Sequence, residues 1–449
     1  MMTRDLALAV LNSLDHDPGF PERHLERAIE RNPQITKRDR AFAVNLIQGV
    51  FRFRLRFDWI IRQFIRFSFN KAEPPVLNIL RIALYQIFFM DRVPESAAVN
   101  EAVKQAKAMG KGHASGFVNG ILRQICRQKD QINFPDPETD RVHYLSVYYS
   151  YPQWLVEKWI GELGIDSAER LLEAENRIPD LVIRANSLKV DRNDLIRFLQ
   201  EEGVTAIPVS HSPEGIKVEG LKGPVNQLET FKNGLFQVQG EAAQICSHLI
   251  SPGSGESVLD LCAGLGGKST HLAEIMGGKG RVLSLDISHG RLIRLLESSL
   301  RLGISCIQPV VADAGVRLSS VLRRPFDKIL LDGPCSGLGI LSRHPDGKWS
   351  KDETDIKRLT CLQKSILNEA AALLKKRGAM LYVTCTISEV ENEEVVSAFL
   401  KQNCGVFLEN LKDHAPEWAL EFINDQGFFK TLPHVHGMDG FFAALFKKV

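Results

Sequence analysis

The chain has 449 residues, of which 24% are charged and 44% hydrophobic, a balance typical of a soluble globular protein. This length is too great for one hydrophobic core, so we expect roughly two to four domains. No apolar stretch approaches the roughly 20 residues that span a bilayer, and the N-terminus lacks the apolar core of a signal peptide. The eight cysteines include no CxxC pair, which argues against a disulfide framework and a structural zinc. We therefore expect a cytoplasmic protein with no membrane segment and no metal.

The charge is distributed unevenly along the chain. Residues 1–130 contain 21 Lys and Arg against 13 Asp and Glu, whereas residues 131–449 contain 35 against 41. A basic segment joined to a mildly acidic one predicts a part that binds a polyanion and a part with a different task. Chance variation of surface charge would give the same numbers, and charge alone does not separate the two interpretations.

Residues 1–135 have the apolar periodicity of an all-α domain. Thr36, three residues before Asp39, is a candidate N-cap of a long helix. Residues 51–57 alternate apolar residues with arginine in period two, as a strand would, but their flanks are helical and we predict a helix. Two interpretations of its three arginines remain open, namely a solvated helix face or an RNA-binding patch of cations between aromatic rings. The arginines are Arg52, Arg54 and Arg56.

The remaining chain divides at composition changes into two further predicted domains. Residues 131–140 form a polar linker with two prolines. In residues 141–235, helical patterns alternate with strand-like runs at 181–186 and 216–218, which predicts a small α+β domain that links its neighbours or binds RNA. Residues 236–449 repeat strand and helix, which predicts a doubly wound, Rossmann-like α/β domain. Its predicted buried strands are Ser257–Leu261, Arg281–Leu285, Ile307–Val311, Lys328–Leu331 and Ala379–Val383.

A glycine-rich segment, Asp-Leu-Cys-Ala-Gly-Leu-Gly-Gly-Lys-Ser, runs from the first of these strands into residue 269. Glycines at this place let the backbone approach a ligand at the start of a helix. The last three residues imitate a phosphate-binding P-loop, but the glycine that this motif requires five residues before Gly267 is Cys262. The competing interpretation is a nucleoside site. Asp286 ends the second strand nineteen residues after Gly267, which is the spacing of a carboxylate that holds a ribose.

Three later strands lead into polar residues, namely Asp313, Asp332 and Cys385. Any one of them could form a turn, but the carboxyl ends of parallel strands meet at one edge of a sheet, where ligands bind. Cys335, in the turn-rich sequence Asp332-Gly-Pro-Cys-Ser-Gly337, is expected at the same edge. A thiolate there would be a nucleophile toward electron-poor carbon atoms.

Together these motifs resemble a known family. The glycine-rich segment at 260–268, Asp332-Gly-Pro-Cys-Ser-Gly337, Thr384-Cys-Thr386 and His436-Gly-Met-Asp-Gly-Phe-Phe442 resemble the RNA cytosine-5 methyltransferases of the NOL1/NOP2/Sun group. The N-terminal helical part resembles the antitermination protein NusB. The three parts together resemble the bacterial members of that group that act on 16S rRNA.

The resemblance implies S-adenosylmethionine as cofactor and 16S rRNA as substrate. Asp286 would take the ribose hydroxyls and Asp313 would lie near the adenine. Asp332 would contact the cofactor and lie between the methyl donor and the cytosine. Cys385 would be the nucleophile and Cys335 would assist product release. The other cofactor contacts carried over from the motif are Cys262, Ala263, Gly264, Leu265, Gly266, Gly267 and Lys268.

The chemistry of such an enzyme is consistent with these residue types. Attack of a Cys385 thiolate on carbon 6 of cytosine makes carbon 5 nucleophilic enough to accept a methyl group. A protonated Asp332 would stabilise the adduct through the ring nitrogen, which requires a raised pKa and a desolvated site. The target base must leave its stack to reach the pocket.

Two functions from other classes remain as alternatives: a P-loop-like nucleotide-binding protein, and a non-catalytic RNA-binding or assembly protein. Cys262 counts against the first, and the intact cysteine and aspartate motifs count against the second. His434 and His436 lack the cysteine and carboxylate company of a metal site, and we place them in the last strand hairpin. We also expect a monomer.

Overall fold

The computed structural model describes residues 3–110, 112–221, 223–322 and 324–449. It consists of two compact units. Unit 1 comprises Met1–Arg177 and Leu341–Ser350, and unit 2 comprises Ile178–Ile340 and Lys351–Val449. Within the described ranges, no helix combines the length and the apolar character that crossing a membrane requires.

Helices are numbered along the chain. Those of unit 1 before residue 178 are α1 (Thr3–His16), α2 (Pro21–Glu30), α3 (Lys37–Phe64), α4 (Pro74–Phe89), α5 (Glu95–Ala108), α6 (Gly112–Arg127), α7 (Arg141–Tyr149), α8 (Gln153–Leu163) and α9 (Ile165–Glu175). Those that follow are α10 (Arg192–Glu201), α11 (Glu229–Lys232), α12 (Glu241–Ile250), α13 (Gly267–Ile275), α14 (His289–Leu302), α15 (Gly347–Ser350, in unit 1), α16 (Glu353–Leu373), α17 (Glu393–Gln402) and α18 (Pro433–His436).

In the described residues, every strand lies in unit 2. They are β1 (Leu181–Ala185), β2 (Thr205–Pro208), β3 (Gly215–Glu219), β4 (Phe236–Val238), β5 (Ser257–Leu261), β6 (Arg281–Asp286), β7 (Ile307–Val311), β8 (Phe326–Asp332), β9 (Leu374–Thr384), β10 (Val406–Glu409), β11 (Phe429–Lys430) and β12 (Phe442–Lys448).

Unit 1 is a helical bundle, and its helix α3 begins where the sequence predicts. The Thr36 hydroxyl accepts a hydrogen bond from the Asp39 backbone N–H, and the Asp39 carboxylate accepts one from the Thr36 N–H, each at 3.2 Å. This capping box satisfies two backbone donors at the helix start. Residues 51–57 are helical as predicted, although Phe53 departs from helical angles with φ −123° and ψ 21°. The period-two pattern therefore coincides with a local distortion of a helix.

The segment Leu341–Ser350 is embedded in unit 1 through a buried lysine. The Lys348 side chain is 0% exposed, and burial holds its pKa well below the ordinary value. Its Nζ donates to three oxygens and lies over one aromatic ring: the Arg52 carbonyl (3.0 Å), the Ser150 carbonyl (3.3 Å), Asn176 Oδ1 (2.6 Å) and Tyr151 (3.5 Å to the centroid). Trp349 adds a hydrogen bond from its Nε1 to the Phe51 carbonyl at 2.7 Å.

Unit 2 contains two sheets. The smaller has the order β2-β3-β1-β4 with antiparallel neighbours, and β1 and β3 coincide with the strand-like runs predicted near 181–186 and 216–218. The larger has the order β10-β12-β9-β8-β5-β6-β7, and β11 also pairs with β12. Its five strands from β9 to β7 are parallel, whereas β12 runs antiparallel to β9. These are the five predicted strands, so the doubly wound α/β prediction is confirmed.

Helices cover the larger sheet on both faces. Val258 of β5 packs in one apolar cluster with Leu272 of α13, whereas its neighbour Leu259 packs in another with Ile366 of α16. Because successive side chains of a strand point to opposite faces, these two clusters are the two sides of a three-layer α/β/α arrangement.

The predicted domain boundaries differ from the observed units at three places. Residues 141–177, predicted to belong to the domain 141–235, lie in unit 1, whereas the rest of that predicted domain lies in unit 2. Strand β4 begins at Phe236 and pairs with β1, so the small sheet continues past the predicted boundary at residue 235. The segment Leu341–Ser350 lies in unit 1 although its sequence falls within the predicted domain 236–449. Local patterns define secondary structure, but they do not define which unit buries a segment.

Candidate active site

The carboxyl ends of the parallel strands carry the predicted polar residues. Asp286 is the last residue of β6, and Asp332 is the last residue of β8. Cys385 directly follows β9, and Asp313 lies two residues after β7. Because β5, β6, β8 and β9 are parallel neighbours, their ends face the same edge of the sheet.

The glycine-rich loop joins β5 to α13, and its backbone conformation explains the glycines. Gly264 and Gly266 have positive φ values of 57° and 82°. A Cβ at Gly266 would lie 2.4 Å from the Leu295 side chain, so helix α14 packs directly against the loop. A Cβ at Gly267 would meet no atom within 4 Å, which leaves that side of the loop open to a ligand.

Asp286 holds this loop from the end of β6. Its carboxylate is 5% exposed and accepts hydrogen bonds from the backbone N–H groups of Gly264 (2.9 Å) and Ser288 (2.8 Å). Asp313 is exposed and accepts a hydrogen bond from the N–H of Gly315 at 2.8 Å. Asp286 is therefore fixed in place, whereas Asp313 belongs to an open turn.

A second carboxylate lies beneath the loop. Asp260 is buried in β5 and accepts a hydrogen bond from the Ser269 hydroxyl, which in turn accepts one from Ser284 at 2.9 Å. Burial raises the pKa of Asp260 to about 7. Arg184 of β1 supports the same helix start, because its buried guanidinium donates to the Gly267 carbonyl (2.9 Å) and to Glu274 (2.7 Å). No local sequence pattern predicts these roles of Asp260 and Arg184.

Lys268 contacts Asp332, a pairing that was not predicted. Its Nζ lies 2.7 Å from Asp332 Oδ2, and the lysine side chain is 11% exposed. Burial acts to lower the pKa of Lys268, but Asp332 and the other anionic groups nearby outweigh burial and hold that pKa above its ordinary value. The predicted role of Asp332, a protonated group that stabilises the adduct, did not include this lysine partner, and that role stays a prediction.

The two predicted cysteines meet at this edge. Their sulfur atoms are 3.3 Å apart, and both side chains are partly buried. The hydrogen bond to Cys385, together with burial, holds the pKa of Cys335 well above its ordinary value. Lys268 acts electrostatically on Cys385. The site therefore combines two adjacent thiols with a lysine–aspartate pair.

Comparison with known proteins gives three family matches in chain order. Residues 1–127 match the NusB family, residues 151–225 match the ferredoxin-like domain of RsmF/B-like methyltransferases, and residues 247–447 match 16S rRNA methyltransferase RsmB/F. A Bacillus subtilis relative, named probable ribosomal RNA small subunit methyltransferase B, is 34% identical over 446 residues, covering 99% of this chain and 98% of the relative. The chain belongs to the RsmB/F family.

Other members of the RsmB/F family and solved structures agree with this assignment. Ribosomal RNA small subunit methyltransferase B of Escherichia coli O6:K15:H31 is 32% identical and covers 92% of each chain. The crystal structure of PH0851 is 27% identical, with a TM-score of 0.81 and coverage of 99% of this chain and 98% of that one. A methyltransferase homologue from Pyrococcus horikoshii has a TM-score of 0.60 at 25% identity, covering 69% of this chain and 99% of that one.

In this RsmB/F family member, the three arginines of the predicted RNA-binding patch contact other residues of unit 1. Arg52 is 3% exposed and donates to the Ser342 carbonyl. Arg54 lies 5.9 Å from the Trp349 ring centroid, and Arg56 lies 4.6 Å from that of Tyr148. Burial lowers the pKa of all three arginines. The prediction of an RNA-contacting patch is therefore wrong for Arg52, and the interleaved aromatic rings serve packing within the unit.

One group of side chains in the described parts of this RsmB/F protein has the composition of a metal site, namely Glu214, His248 and His271. Glu214 Oε2 lies 2.9 Å from His248 Nε2 and 3.9 Å from His271 Nε2. The buried Arg184 guanidinium acts electrostatically on both Glu214 and His271. A metal cation would face that positive charge, so we describe the group as a hydrogen-bonded Glu–His pair beside a buried imidazole.

Proposed function

We propose that this chain methylates carbon 5 of a cytosine in 16S rRNA, with S-adenosylmethionine as methyl donor and Cys385 as nucleophile. The observation that carries the proposal is the 3.3 Å contact between the Cys335 and Cys385 sulfur atoms at the edge where Lys268 pairs with Asp332. Membership of a 16S rRNA methyltransferase family and relatives named ribosomal RNA small subunit methyltransferase B support it. We keep the cytoplasm and a monomeric state as predictions.

The residues of the loop and of β6 fit S-adenosylmethionine. Asp286 uses its two oxygens for two backbone donors, and a carboxylate offers about four acceptor sites, so it can still accept from a ribose diol. The open side of Gly267 lets a ligand approach the backbone. When bound there, S-adenosylmethionine would supply an electrophilic methyl group on a sulfonium sulfur. Asp313, two residues after β7, is the proposed neighbour of the adenine.

The direction of the thiol contact favours Cys385 as the nucleophile. Either sulfur could donate in this contact, but the raised pKa of Cys335 favours a thiol that keeps its proton and directs it toward the Cys385 sulfur. A thiolate on the same sulfur would interact favourably with the nearby Lys268 ammonium. A thiolate is stabilised when its sulfur accepts a hydrogen bond and a cation lies nearby, and both conditions favour Cys385 as the nucleophile.

The covalent step follows from this arrangement. The Cys385 thiolate forms a bond to carbon 6, and the electrons of the carbon 5–carbon 6 double bond make carbon 5 nucleophilic toward the methyl group. Negative charge that develops on the ring is balanced by the Lys268 ammonium beside Asp332. Solvent water then takes the carbon 5 proton, the electrons of that carbon–hydrogen bond restore the carbon 5–carbon 6 double bond, and the carbon–sulfur bond breaks so that sulfur leaves as the Cys385 thiolate. The Cys335 thiol assists this step, because its hydrogen bond stabilises the leaving thiolate.

A denaturing gel of two variants tests the proposal. Each variant is incubated with unmodified 16S rRNA and S-adenosylmethionine. Cys385→Ala should lose methylation and form no covalent species. Cys335→Ala should still attack and transfer the methyl group but release slowly, so a protein–RNA adduct should accumulate.

The opposite outcomes are distinct. An adduct confined to Cys385→Ala would make Cys335 the nucleophile. Full activity in both variants would exclude cysteine catalysis altogether. Cys361→Ala, at an exposed cysteine of α16, controls for loss of any thiol.

A further inference from the structure

A buried carboxylate lies behind the two cysteines. Glu391, between β9 and α17, is 0% exposed. Its Oε1 accepts from the Ser336 N–H (2.8 Å) and from Gln363 Nε2 (3.1 Å), and its Oε2 accepts from the Ser336 hydroxyl. Ser336 directly follows Cys335, so Glu391 binds both the backbone and the side chain next to that thiol.

The same network reaches the other cysteine. The Ser336 hydroxyl lies 3.0 Å from the hydroxyl of Thr386, which directly follows Cys385. Thr386 Oγ1 accepts from the Ser388 N–H at 3.2 Å. Because a carboxylate only accepts and a backbone N–H only donates, the two hydroxyl protons between them must both point toward Glu391. Each group in this series of hydrogen bonds then has a partner of the matching kind.

Further hydrogen bonds hold the backbone of the two segments that carry Cys335 and Cys385. Gln363 Nε2 donates to the Pro334 carbonyl at 2.9 Å as well as to Glu391. The Gly339 N–H donates to the Cys385 carbonyl at 3.0 Å, and Asn392 Nδ2 donates to the Thr386 carbonyl at 2.9 Å. The residues on either side of Cys335 and the residue after Cys385 are therefore held by one buried polar cluster, in which Gln363 Oε1 is left without a hydrogen-bond partner.

We propose that Glu391 is a positioning residue that fixes the Cys335 loop against the Cys385 loop and so sets the contact of the two sulfur atoms. The proposal rests on the proposed function, in which both thiols act on one cytosine. Glu391 reaches the thiols through hydrogen bonds to the residue next to Cys335. Its charge also acts electrostatically on Cys335, and we assign its main effect on the reaction to geometry.

The decisive substitution is Glu391→Gln, which keeps the volume and removes the acceptor-only carboxylate. An amide nitrogen facing Ser336 would donate, which reverses both hydroxyl protons and directs the Thr386 hydroxyl at the Ser388 N–H. Two donors would then face each other, and a buried unpaired donor is unfavourable. Thr386→Val is a second, milder variant, which removes the hydroxyl that links Ser336 to the Ser388 N–H. Glu389→Gln, at an exposed glutamate two residues away, is the matched control.

Three measurements are made on each full-length variant. The first is kcat and KM for methylation of 16S rRNA, and the second is the Kd for S-adenosylmethionine. The third is the rate at which diamide joins Cys335 to Cys385, followed by peptide mapping without RNA. In that reaction two thiols lose two electrons and two protons and form one S–S bond, while the azo group of diamide becomes a hydrazine. Disulfide formation depends on the spacing of the sulfur atoms.

Glu391→Gln should lower kcat about tenfold to a hundredfold and slow disulfide formation about tenfold, with the Kd for S-adenosylmethionine within about twofold. Thr386→Val should shift both rates in the same direction by less, and Glu389→Gln should shift neither. An unchanged disulfide rate in Glu391→Gln would overturn the positioning role, whatever happens to kcat. A weakened Kd with a lowered melting temperature would also overturn it, since it would show a general structural effect. If the parent chain lacks activity but Glu391→Gln slows the disulfide, positioning holds and the proposed function fails.

Discussion

Two lysines, one in each unit, show how differently the same side chain can be used. Lys348 of unit 1 is 0% exposed and meets neutral oxygens, so burial lowers its pKa well below the ordinary value. Lys268 of unit 2 is 11% exposed and meets the Asp332 carboxylate, which helps to raise its pKa. Burial opposes the charge of both lysines, and only the second has a counter-charge strong enough to outweigh it.

This difference separates a lysine with a structural role from one at the candidate active site. Lys348 fastens the segment Leu341–Ser350 into its unit, and its three hydrogen bonds leave no donor for a ligand. Lys268 has one strong partner at the edge of the sheet and acts on Cys385. A buried lysine is therefore a candidate for chemistry when its partner is a carboxylate at an open edge.

The largest effect on the methylation rate is expected for Lys268→Met, which tests directly how Lys268 differs from Lys348. Removing the cation leaves Asp332 and the developing ring charge without compensation, so methylation of 16S rRNA should fall by roughly 10²–10³-fold. The measurement is the single-turnover rate at saturating S-adenosylmethionine, with the melting temperature recorded alongside. Lys412→Met, at a surface lysine paired with Asp425, is the control. Parent-like turnover in Lys268→Met would make this lysine structural, as Lys348 is.

Arg52→Ala should destabilise unit 1 without acting as an RNA-binding variant. The substitution removes a buried guanidinium that donates to Ser342, and it should cost about 1.5–3 kcal/mol of unfolding free energy. Thermal unfolding measures the loss.

Arg123 and Arg127, which line an exposed groove of α5 and α6, form the matched pair. Replacing both by alanine should weaken RNA binding and reduce its salt slope by about two, with little change in melting. If Arg52→Ala instead weakened RNA binding without lowering the melting temperature, the prediction of an RNA-binding arginine patch at residues 52–56 would be restored.

Asp286→Ala should weaken S-adenosylmethionine binding and leave RNA binding unchanged. A carboxylate that accepts two ribose hydroxyls makes charge-assisted hydrogen bonds, so its loss should cost roughly 1.5–3 kcal/mol and raise the Kd about tenfold or more. Isothermal titration of the folded variant gives the value. Asp313→Ala, in an exposed turn, should raise the same Kd by less. Equal Kd values for the parent and Asp286→Ala would remove Asp286 from the cofactor site.

The sequence predicts well what depends on local pattern. Apolar β-rich runs gave the five parallel strands, and Thr36 with Asp39 gave the start of α3. The polar residues at or just after the strand ends predicted the edge on which Asp286, Asp332 and Cys385 lie, because strand direction in a parallel sheet fixes where those ends lie.

What the sequence misses depends on contacts between distant segments. Lys268 and Asp332 are 64 residues apart, and Glu391 and Ser336 are 55 residues apart, so no local pattern indicates either pairing. The burial of Arg52 depends on Ser342, 290 residues away. Alternation of arginine with aromatic residues describes a buried packing layer as well as it describes an exposed RNA-binding surface, and only tertiary structure distinguishes the two.

The smallest expected effect is a pH dependence that comes from Lys348. Its folded-state pKa lies well below the value of 10.5 that applies in the unfolded chain. Between those two values the unfolded state binds more protons than the folded state, so the free energy of unfolding rises with pH. Lys348→Met removes this contribution. The melting temperature of the parent, relative to that of Lys348→Met, should therefore increase from about pH 7 to about pH 9.5. Lys107→Met, at an exposed lysine of the same unit, isolates the buried ammonium from general titration. A difference that stays constant over this range would mean that the three oxygens and the Tyr151 ring keep Lys348 protonated, and the contrast with Lys268 would then lie in their partners alone.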